Sequence, residues 1–238
     1  LRDEVVGEEA TRVFNDAQAM LKKIVEGRWL TANAVLGFWP ACTVHDDDIA
    51  LYADESRQDR VLTWYGLRQQ TEKQEDAQDH LRPSRCLADF IAPTQSAMNS
   101  EAVGARQTGD AGQNGLKDYI GAFAVTAGIG AEVKVQQFMA AHDDYSAITL
   151  KALADRLAEA TAEWLHHRVR TDLWGYAAGE QLSNEELIKE KYQGIRPAPG
   201  YPACPDHSVK RDMFRVLQAG SIGMGLTESL AMTPAASV

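Results

Sequence analysis

Two stretches of the chain carry apolar residues at the spacing of an amphipathic helix. Between Asp3 and Trp29 they recur every three or four positions, and Gly27 is a suitable end for that helix. A second helical block extends from about Glu132 to Arg170. Its second half predicts a buried stripe that comprises Leu150, Leu153, Leu157, Ala160, Trp164 and Val169. The sequence therefore predicts helices near both ends of the chain.

Between these helical stretches, runs of β-branched and aromatic residues predict strands. Residues 34–44 and 49–52 are two candidate strands joined by an acidic turn at 45–48, and 61–65 and 119–125 are two more. Antiparallel strands can be joined by such a short turn, whereas parallel strands need a long crossover. The pattern therefore indicates an α+β fold, in which helices flank an antiparallel sheet.

The remaining stretches predict short helices and exposed insertions. Ser183-Asn-Glu-Glu186 has the form of a capping box and predicts a short helix to Tyr192, and a further helix is expected near 209–217. Two polar stretches, at about 74–85 and 94–117, contain few large apolar residues. We expect both to be exposed, partly mobile insertions.

Composition narrows the possible partners and location. The 238 residues include 24 Lys plus Arg and 34 Asp plus Glu, a formal net charge of −10. This balance argues against nucleic acid and against an anionic membrane surface, since both require a basic face. The longest nearly apolar stretch, 119–131, is too short and too rich in glycine to span a bilayer.

The cysteines and the chain start add two expectations. Cys42, Cys86 and Cys204 are odd in number and widely spaced, so they predict no disulfide framework and favour a reducing cytoplasm. The chain begins at Leu1 without an initiator Met or a signal peptide. We therefore expect it to be a piece of a longer protein.

The most informative segment is rich in proline. Four of the eight prolines fall between Arg196 and Pro205. Each fixes its own φ, so the loop is already rigid and loses little entropy when a ligand binds. Arg196 offers a planar fork suited to a carboxylate, Tyr201 offers an aromatic face that attracts cations, and Gly200 allows close approach to the backbone. The alternative is a rigid turn between two helices.

The same segment resembles a known family. Residues 196–207, Arg-Pro-Ala-Pro-Gly-Tyr-Pro-Ala-Cys-Pro-Asp-His, are similar to the activation domain of cobalamin-dependent methionine synthase. Further similar blocks occur in the same order at 3–7, 67–73, 86–90, 118–126, 151–160, 174–176 and 182–187. The resemblance implies one C-shaped α+β domain over 1–238, with a twisted antiparallel sheet and a truncated C-terminal end. Only the two polar insertions depart from the bacterial pattern.

The resemblance also implies a function. The family domain binds S-adenosylmethionine and presents its methyl group to cobalamin, which another domain of the parent enzyme holds, during reductive remethylation of inactive cob(II)alamin. Flavodoxin or a diflavin reductase supplies the electron. The alternative is a non-catalytic module that only binds S-adenosylmethionine or docks flavodoxin. No catalytic acid or base is expected, because reduced cobalt is a strong nucleophile and the sulfonium methyl is already activated.

The absence of several catalytic motifs from the sequence is consistent with the implied methyl-transfer function. It contains no Gly-x-Ser-x-Gly, His-Glu-x-x-His or P-loop pattern, and no Asp-x-His-x-x-Gly that would give cobalt a lower ligand. Gly128-Ile-Gly130 and Gly223-Met-Gly225 are incomplete nucleotide loops. The ligand would therefore be bound in a non-Rossmann site.

Three site residues are carried over within the proline-rich loop. Arg196 matches the family arginine that grips the methionine carboxylate, with a surface salt bridge to Glu190 as the alternative. Tyr201 would line the pocket near the sulfonium, with a buried structural tyrosine as the alternative. The backbone around Ala198 is expected to contact the adenine or ribose.

Three acidic residues elsewhere complete the expected ligand site. Asp3 matches a family aspartate near the ligand's amino group, although its position also suits a helix N-cap. Glu159 shares a helix face with Asp155, and it either binds the cationic ligand or belongs to a solvated face neutralised by Lys151. Glu190 is a further candidate of the same kind.

Other features of the sequence give weaker predictions of function. His45-Asp-Asp-Asp48 raises the alternative of a metal-dependent hydrolase, and Cys204 with His207 lacks a second ligand pair for zinc. An acidic domain would need a local basic patch to dock an acidic flavodoxin. The candidates for this patch are Arg168, Arg170, Lys189, Lys191, Lys210 and Arg211.

Overall fold

The computed structural model describes residues 3–70, 83–93 and 117–238, with side chains in the first helix from Gly7 onward. The helices are α1 (Asp3–Gly27), α2 (Ala131–Ala140), α3 (Asp144–Arg168), α4 (Asn184–Ile188) and α5 (Lys210–Leu217). The strands are β1 (Thr31–Thr43), β2 (Ile49–Tyr52), β3 (Arg60–Trp64), β4 (Asp118–Ile129), β5 (Gly225–Leu226) and β6 (Met232–Thr233). Of the predicted insertions, 74–82 and 94–116 lie outside the described residues.

The larger sheet has the strand order β3-β2-β1-β4. Both β1 with β2 and β2 with β3 pair antiparallel, with Cys42 opposite Ala50 and Leu51 opposite Leu62. The acidic turn after β1 is closed by a hydrogen bond of 3.1 Å, which the Val44 amide donates to the Asp48 carbonyl. The predicted α+β class and antiparallel sheet are therefore confirmed.

Within the fold, the chain divides into two compact units. Unit 1 comprises 1–35, 124–193 and 218–238, and unit 2 comprises 36–123 and 194–217. Strands β1 and β4 contribute residues to both units.

Unit 2 is built around one face of the sheet. Its core consists of Ala41, Ile49, Leu51, Leu62, Trp64, Cys86, Ala88, Ile91, Cys204 and Val209. The residues Cys86, Ala88 and Ile91 come from a short 3₁₀ helix, Leu87–Phe90, and its flanks. Cys204 comes from the proline-rich segment, and Val209 immediately precedes α5. Burial of these side chains anchors the proline-rich loop to the sheet.

Unit 1 is held together by α3, and here one prediction is wrong. Ala160 and Trp164 were expected in the buried stripe of this helix, but both are exposed, Trp164 by 56%. Leu150 is buried as expected, and the other buried positions of this helix are Ala147, Ala154, Ala158, Ala162, Leu165 and His166. Small side chains face the interior because Ala127 of β4 and Ala236 of the C-terminal segment pack directly against Ala154 and Ala158.

Two helix boundaries also differ from the prediction. The block expected from Glu132 to Arg170 is two helices, because the backbone turns at His142 (φ 57°) and the Asp143 side chain caps α3 by accepting from the Ser146 amide at 3.0 Å. The capping box at Ser183 is present, but its helix ends at Ile188 rather than at Tyr192. Among the described residues, none of the helices combines the length and the apolar character that a membrane span requires.

Candidate functional site

The proline-rich loop has a compact, internally bonded backbone. Gly200 donates to the Cys204 carbonyl at 2.8 Å, Cys204 donates to the Tyr201 carbonyl at 2.9 Å, and Tyr201 donates to the Ala198 carbonyl at 3.1 Å. Cys204 is buried in the core of unit 2, where desolvation raises the pKa of its thiol to about 11. The loop is therefore fixed at its base while its tip remains accessible.

Gly200 occupies the one position in this loop that excludes a side chain. Its φ is 104°, a value that other residues rarely adopt, and a Cβ built there would lie 2.5 Å from the Cε1 atom of His207. The imidazole thus packs directly against the glycine backbone. Beyond it, Asp206 accepts from the amide of Ser208 at 2.7 Å, and hydrogen bonds from this serine lower the pKa of the Asp206 carboxyl.

The three expected site residues of the loop all lie in unit 2. Arg196 is half-buried, and its Nη1 atom is enclosed rather than directed into bulk water. Ala198 is half-buried at the start of the turn. Tyr201 is 63% exposed at the tip, so the alternative of a buried structural tyrosine does not hold. A guanidinium and an aromatic ring are therefore presented from one rigid segment.

The three expected acidic residues lie in unit 1. Glu159 is exposed on α3, and its carboxylate lies 3.7 Å from the Arg156 guanidinium, so its cationic neighbour is not the expected Lys151. Glu190 is exposed in the turn after α4, where its φ is 52°. Asp3 is the first residue of α1.

Sequence reasoning missed a buried charged cluster in unit 1. Arg170 is completely buried on a π-helical turn (Val169–Leu173), where its guanidinium donates to both carboxylate oxygens of Glu180 at 2.6–3.0 Å. It lies 4.6 Å from the ring centroid of Tyr192 and 2.6 Å from Nδ1 of His166. These hydrogen bonds lower the pKa of the Glu180 carboxyl.

This cluster corrects one expectation about docking. Arg170 was a candidate for a basic surface patch, but its burial removes it from any surface. A single arginine within a helical stretch gives no sequence signal of burial, because arginines are usually exposed. Only the spacing of four residues from His166 indicated that the two side chains share a helix face.

The structure offers no candidate metal centre in the part of the chain that it describes. No group of three or more His, Cys, Asp or Glu side chains there is arranged to hold an ion. Residues 45–48 form the turn between β1 and β2. The hydrolase alternative therefore has no metal site in 3–70, 83–93 or 117–238.

Comparisons with known proteins place this arrangement in a family. The family model described as vitamin B12 dependent methionine synthase, activation domain, matches residues 1–238. A solved structure, the crystal structure of the MetH reactivation domain bound to AdoHcy, is 49% identical with a TM-score of 0.83. The match covers all of this chain and 66% of that one. The resemblance read from the sequence is thereby confirmed, and the chain belongs to the family of vitamin B12-dependent methionine synthase activation domains.

Proposed function

We propose that this chain is the reactivation module of a cobalamin-dependent methionine synthase and that residues 1–238 act as one S-adenosylmethionine-binding domain. One observation carries the proposal: the 49% identical reactivation domain, which this chain matches over its whole length, was solved bound to AdoHcy. AdoHcy is the demethylated form of S-adenosylmethionine. A site that accepts one presents most of the groups needed for the other.

The proline-rich loop suits such a ligand. Arg196 would grip the methionine carboxylate with two parallel hydrogen bonds, since a guanidinium fork matches a carboxylate in geometry. Tyr201 would offer its aromatic face to the positive sulfur. The backbone at Ala198 would hold the adenine or ribose, and the glycine at 200 keeps side-chain bulk away from the turn.

The proposal also keeps the three acidic residues that the sequence suggested. We assign Asp3, Glu159 and Glu190 to the cationic end of the ligand, where an ammonium and a sulfonium require negative partners. In Glu159 this role would compete with Arg156, whose guanidinium lies 3.7 Å away on the exposed helix face. That exposed pair is weak enough to exchange partners.

The chemistry needs positioning rather than acid or base catalysis. S-adenosylmethionine, when bound, supplies a methyl group that its positive sulfur has already activated for transfer to reduced cobalamin. The residues of this chain would hold the donor in line and exclude water, which is the main contribution a protein can make to such a step. We accordingly assign no catalytic acid, base or nucleophile.

The proposed partners follow from the same role. Cobalamin would be held by another domain of the parent chain, and the electron for its reduction would come from flavodoxin or a diflavin reductase. We place the activity in the cytoplasm, since Cys42, Cys86 and Cys204 are all free thiols. Methylation of added cob(I)alamin by the isolated chain would favour this role over a module that only binds ligand or docks flavodoxin.

The decisive test is titration calorimetry with S-adenosylmethionine. Arg196→Ala should weaken binding by about 1.5–3 kcal/mol, the range for a hydrogen bond to a charged group, or roughly tenfold to 150-fold in Kd. Arg211→Ala, which removes an exposed arginine of α5, is the matched control and should bind as the parent chain does.

Decarboxylated S-adenosylmethionine makes the test specific to the carboxylate. It should bind the parent chain more weakly than the intact ligand, and Arg196→Ala should not weaken it further. Equal affinity of the parent and Arg196→Ala for the intact ligand would contradict the carboxylate role. Absence of binding to the parent chain would contradict the proposal that residues 1–238 suffice.

A further inference from the structure

A groove runs along the outer edge of the sheet in unit 2. It is lined by Arg60, Val61, Leu62, Thr63 and Tyr65, with Asp212 and Arg215 opposite, and its volume is about 350 Å³. The first five residues belong to or directly follow β3, and the last two belong to α5. A strand thus forms one wall of the groove and a helix forms the other.

Strand β3 is the last strand on its side of the sheet. It pairs with β2, and no other strand of the described residues pairs with it. In an antiparallel sheet, alternate residues of an edge strand direct their amide and carbonyl groups away from the neighbouring strand. The edge of β3 therefore presents a row of backbone donors and acceptors to the groove.

Helix α5 has two functions at this edge. Met213 and Val216 pack against the core of unit 2, which fixes the helix beside the strand. Asp212 and Arg215, on another face, line the groove. An edge strand with a fixed helix alongside can accept an extended peptide as an additional strand, with side-chain pockets on the helix side.

The charges of the groove indicate what kind of peptide would fit. Two guanidinium groups, Arg60 and Arg215, line it against one carboxylate, Asp212, which lies 3.1 Å from Arg215. This local excess of positive charge contrasts with the net charge of −10 for the chain. Tyr65, which is 71% exposed at the end of β3, adds a large uncovered aromatic surface of the type enriched in binding hot spots.

We propose that the groove between β3 and α5 binds an extended acidic segment of a partner protein by strand addition. The backbone edge supplies hydrogen bonds, the two arginines select negative side chains, and Tyr65 packs on an apolar one. A basic segment would meet unfavourable charge from the two arginines. The site is distinct from the proline-rich loop, so the inference does not depend on the proposed methyl-transfer role.

Fluorescence anisotropy with a labelled peptide of four Val-Glu repeats tests the proposal. Five residues of extended strand span about 17 Å, so eight residues are enough to cover the edge. We expect saturable binding at concentrations below about 1 mM, the weak limit of useful affinity. A matched Val-Lys peptide should bind less, and a Val-Glu peptide N-methylated at two consecutive central residues should lose binding, because it retains charge but lacks backbone donors on both edges.

Protein variants separate the groove from general electrostatic attraction. Arg60→Glu with Arg215→Glu should weaken Val-Glu binding by about threefold to tenfold, as expected for two exposed ion pairs, and should favour the Val-Lys peptide. Arg211→Glu, on the same helix but outside the groove lining, should change Kd by less than about twofold at physiological salt. Circular dichroism should show that each variant is folded, and S-adenosylmethionine binding should be unchanged.

Three results would overturn the proposal. One is the absence of binding for the Val-Glu peptide, which would leave the two arginines as charges that only keep other strands away. Another is equal binding of the N-methylated peptide, which would exclude strand addition. The third is an equal loss in Arg211→Glu, which would show that attraction is not confined to the groove.

Discussion

Gly200 shows how one residue determines the geometry of the proline-rich loop. Because its φ is 104° and the His207 ring occupies the space of a Cβ, we expect Gly200→Ala to lower the free energy of unfolding by about 1–3 kcal/mol, as for other strained backbone positions. S-adenosylmethionine affinity should fall as well, since Tyr201 is the next residue. Urea denaturation and calorimetry measure the two effects.

Two further variants identify the cause of the effect. Gly179→Ala is the matched control, because its Cβ would meet open space and its φ is not in the left-handed region, so its stability should change by less than about 0.5 kcal/mol. In Gly200→Ala with His207→Ala, the clash is removed but the backbone strain remains, so stability should recover only in part. An unchanged stability of Gly200→Ala would contradict this account.

The sequence predicted the position of the proline-rich loop but not how the residues of that loop pack against one another. Four prolines in ten residues mark a rigid segment without any knowledge of relatives, and Arg196 at its start indicates an anion site. Gly200 was expected to admit a ligand, whereas the structure places the His207 ring beside it. That contact depends on a turn closed by Cys204, which only the three-dimensional structure reveals.

The interior face of α3 depends on the small size of its side chains. Ala158 is 1% exposed and packs with Ala127 and Ala236, so Ala158→Leu should lower the free energy of unfolding by about 1–3 kcal/mol through overpacking. Ala160→Leu, two residues away on the exposed face, should change it by less than about 0.5 kcal/mol. Urea denaturation of the two variants tests which face is buried; the opposite ranking would contradict the structure.

The elements themselves were predictable where local chemistry determines them. The four strands of the larger sheet agree with the sequence pattern to within a few residues, because alternation and turn residues act locally, whereas the two-residue strands β5 and β6 were not predicted. The face of α3 was misassigned because hydrophobicity ranks Trp164 above alanine, yet this tryptophan is exposed with the Arg168 guanidinium 5.4 Å from its ring. The break between α2 and α3 was missed because no proline or glycine marks it.

At the scale of the whole molecule, the hydrophobic pattern predicted the fold class, whereas the resemblance to known sequences predicted the family. Alternation and helical periodicity gave the α+β class, because burying one face of each element leaves few architectures. The order β3-β2-β1-β4 and the division into two units depend on contacts between residues far apart in the chain, which periodicity does not encode. The family, and with it the ligand class, came from several similar blocks in order rather than from any single physical signal.

The acidic character of the chain makes its stability dependent on pH, and the buried pair of Arg170 and Glu180 should dominate this dependence. The guanidinium of Arg170 lowers the pKa of the Glu180 carboxyl in the folded state. A lowered folded pKa means that the unfolded chain takes up a proton first. The stabilisation is therefore complete above the ordinary glutamate pKa of about 4.3 and is lost as pH falls through the lowered value.

Urea denaturation across this acidic range should show the effect. The free energy of unfolding of the parent chain should decline below about pH 5. Glu180→Gln should reduce that decline, and at neutral pH it should cost about 3–5 kcal/mol, because it leaves Arg170 buried without its anion. Replacing both residues by Met should restore part of this loss.

Asp172→Asn, which breaks the exposed pair with Arg168, is the control and should change stability little. A buried guanidinium deprived of its carboxylate cannot recover that interaction from water. A Glu180→Gln protein that is as stable as the parent at neutral pH, and whose stability declines as steeply in acid, would therefore show that the pair does not control acid stability.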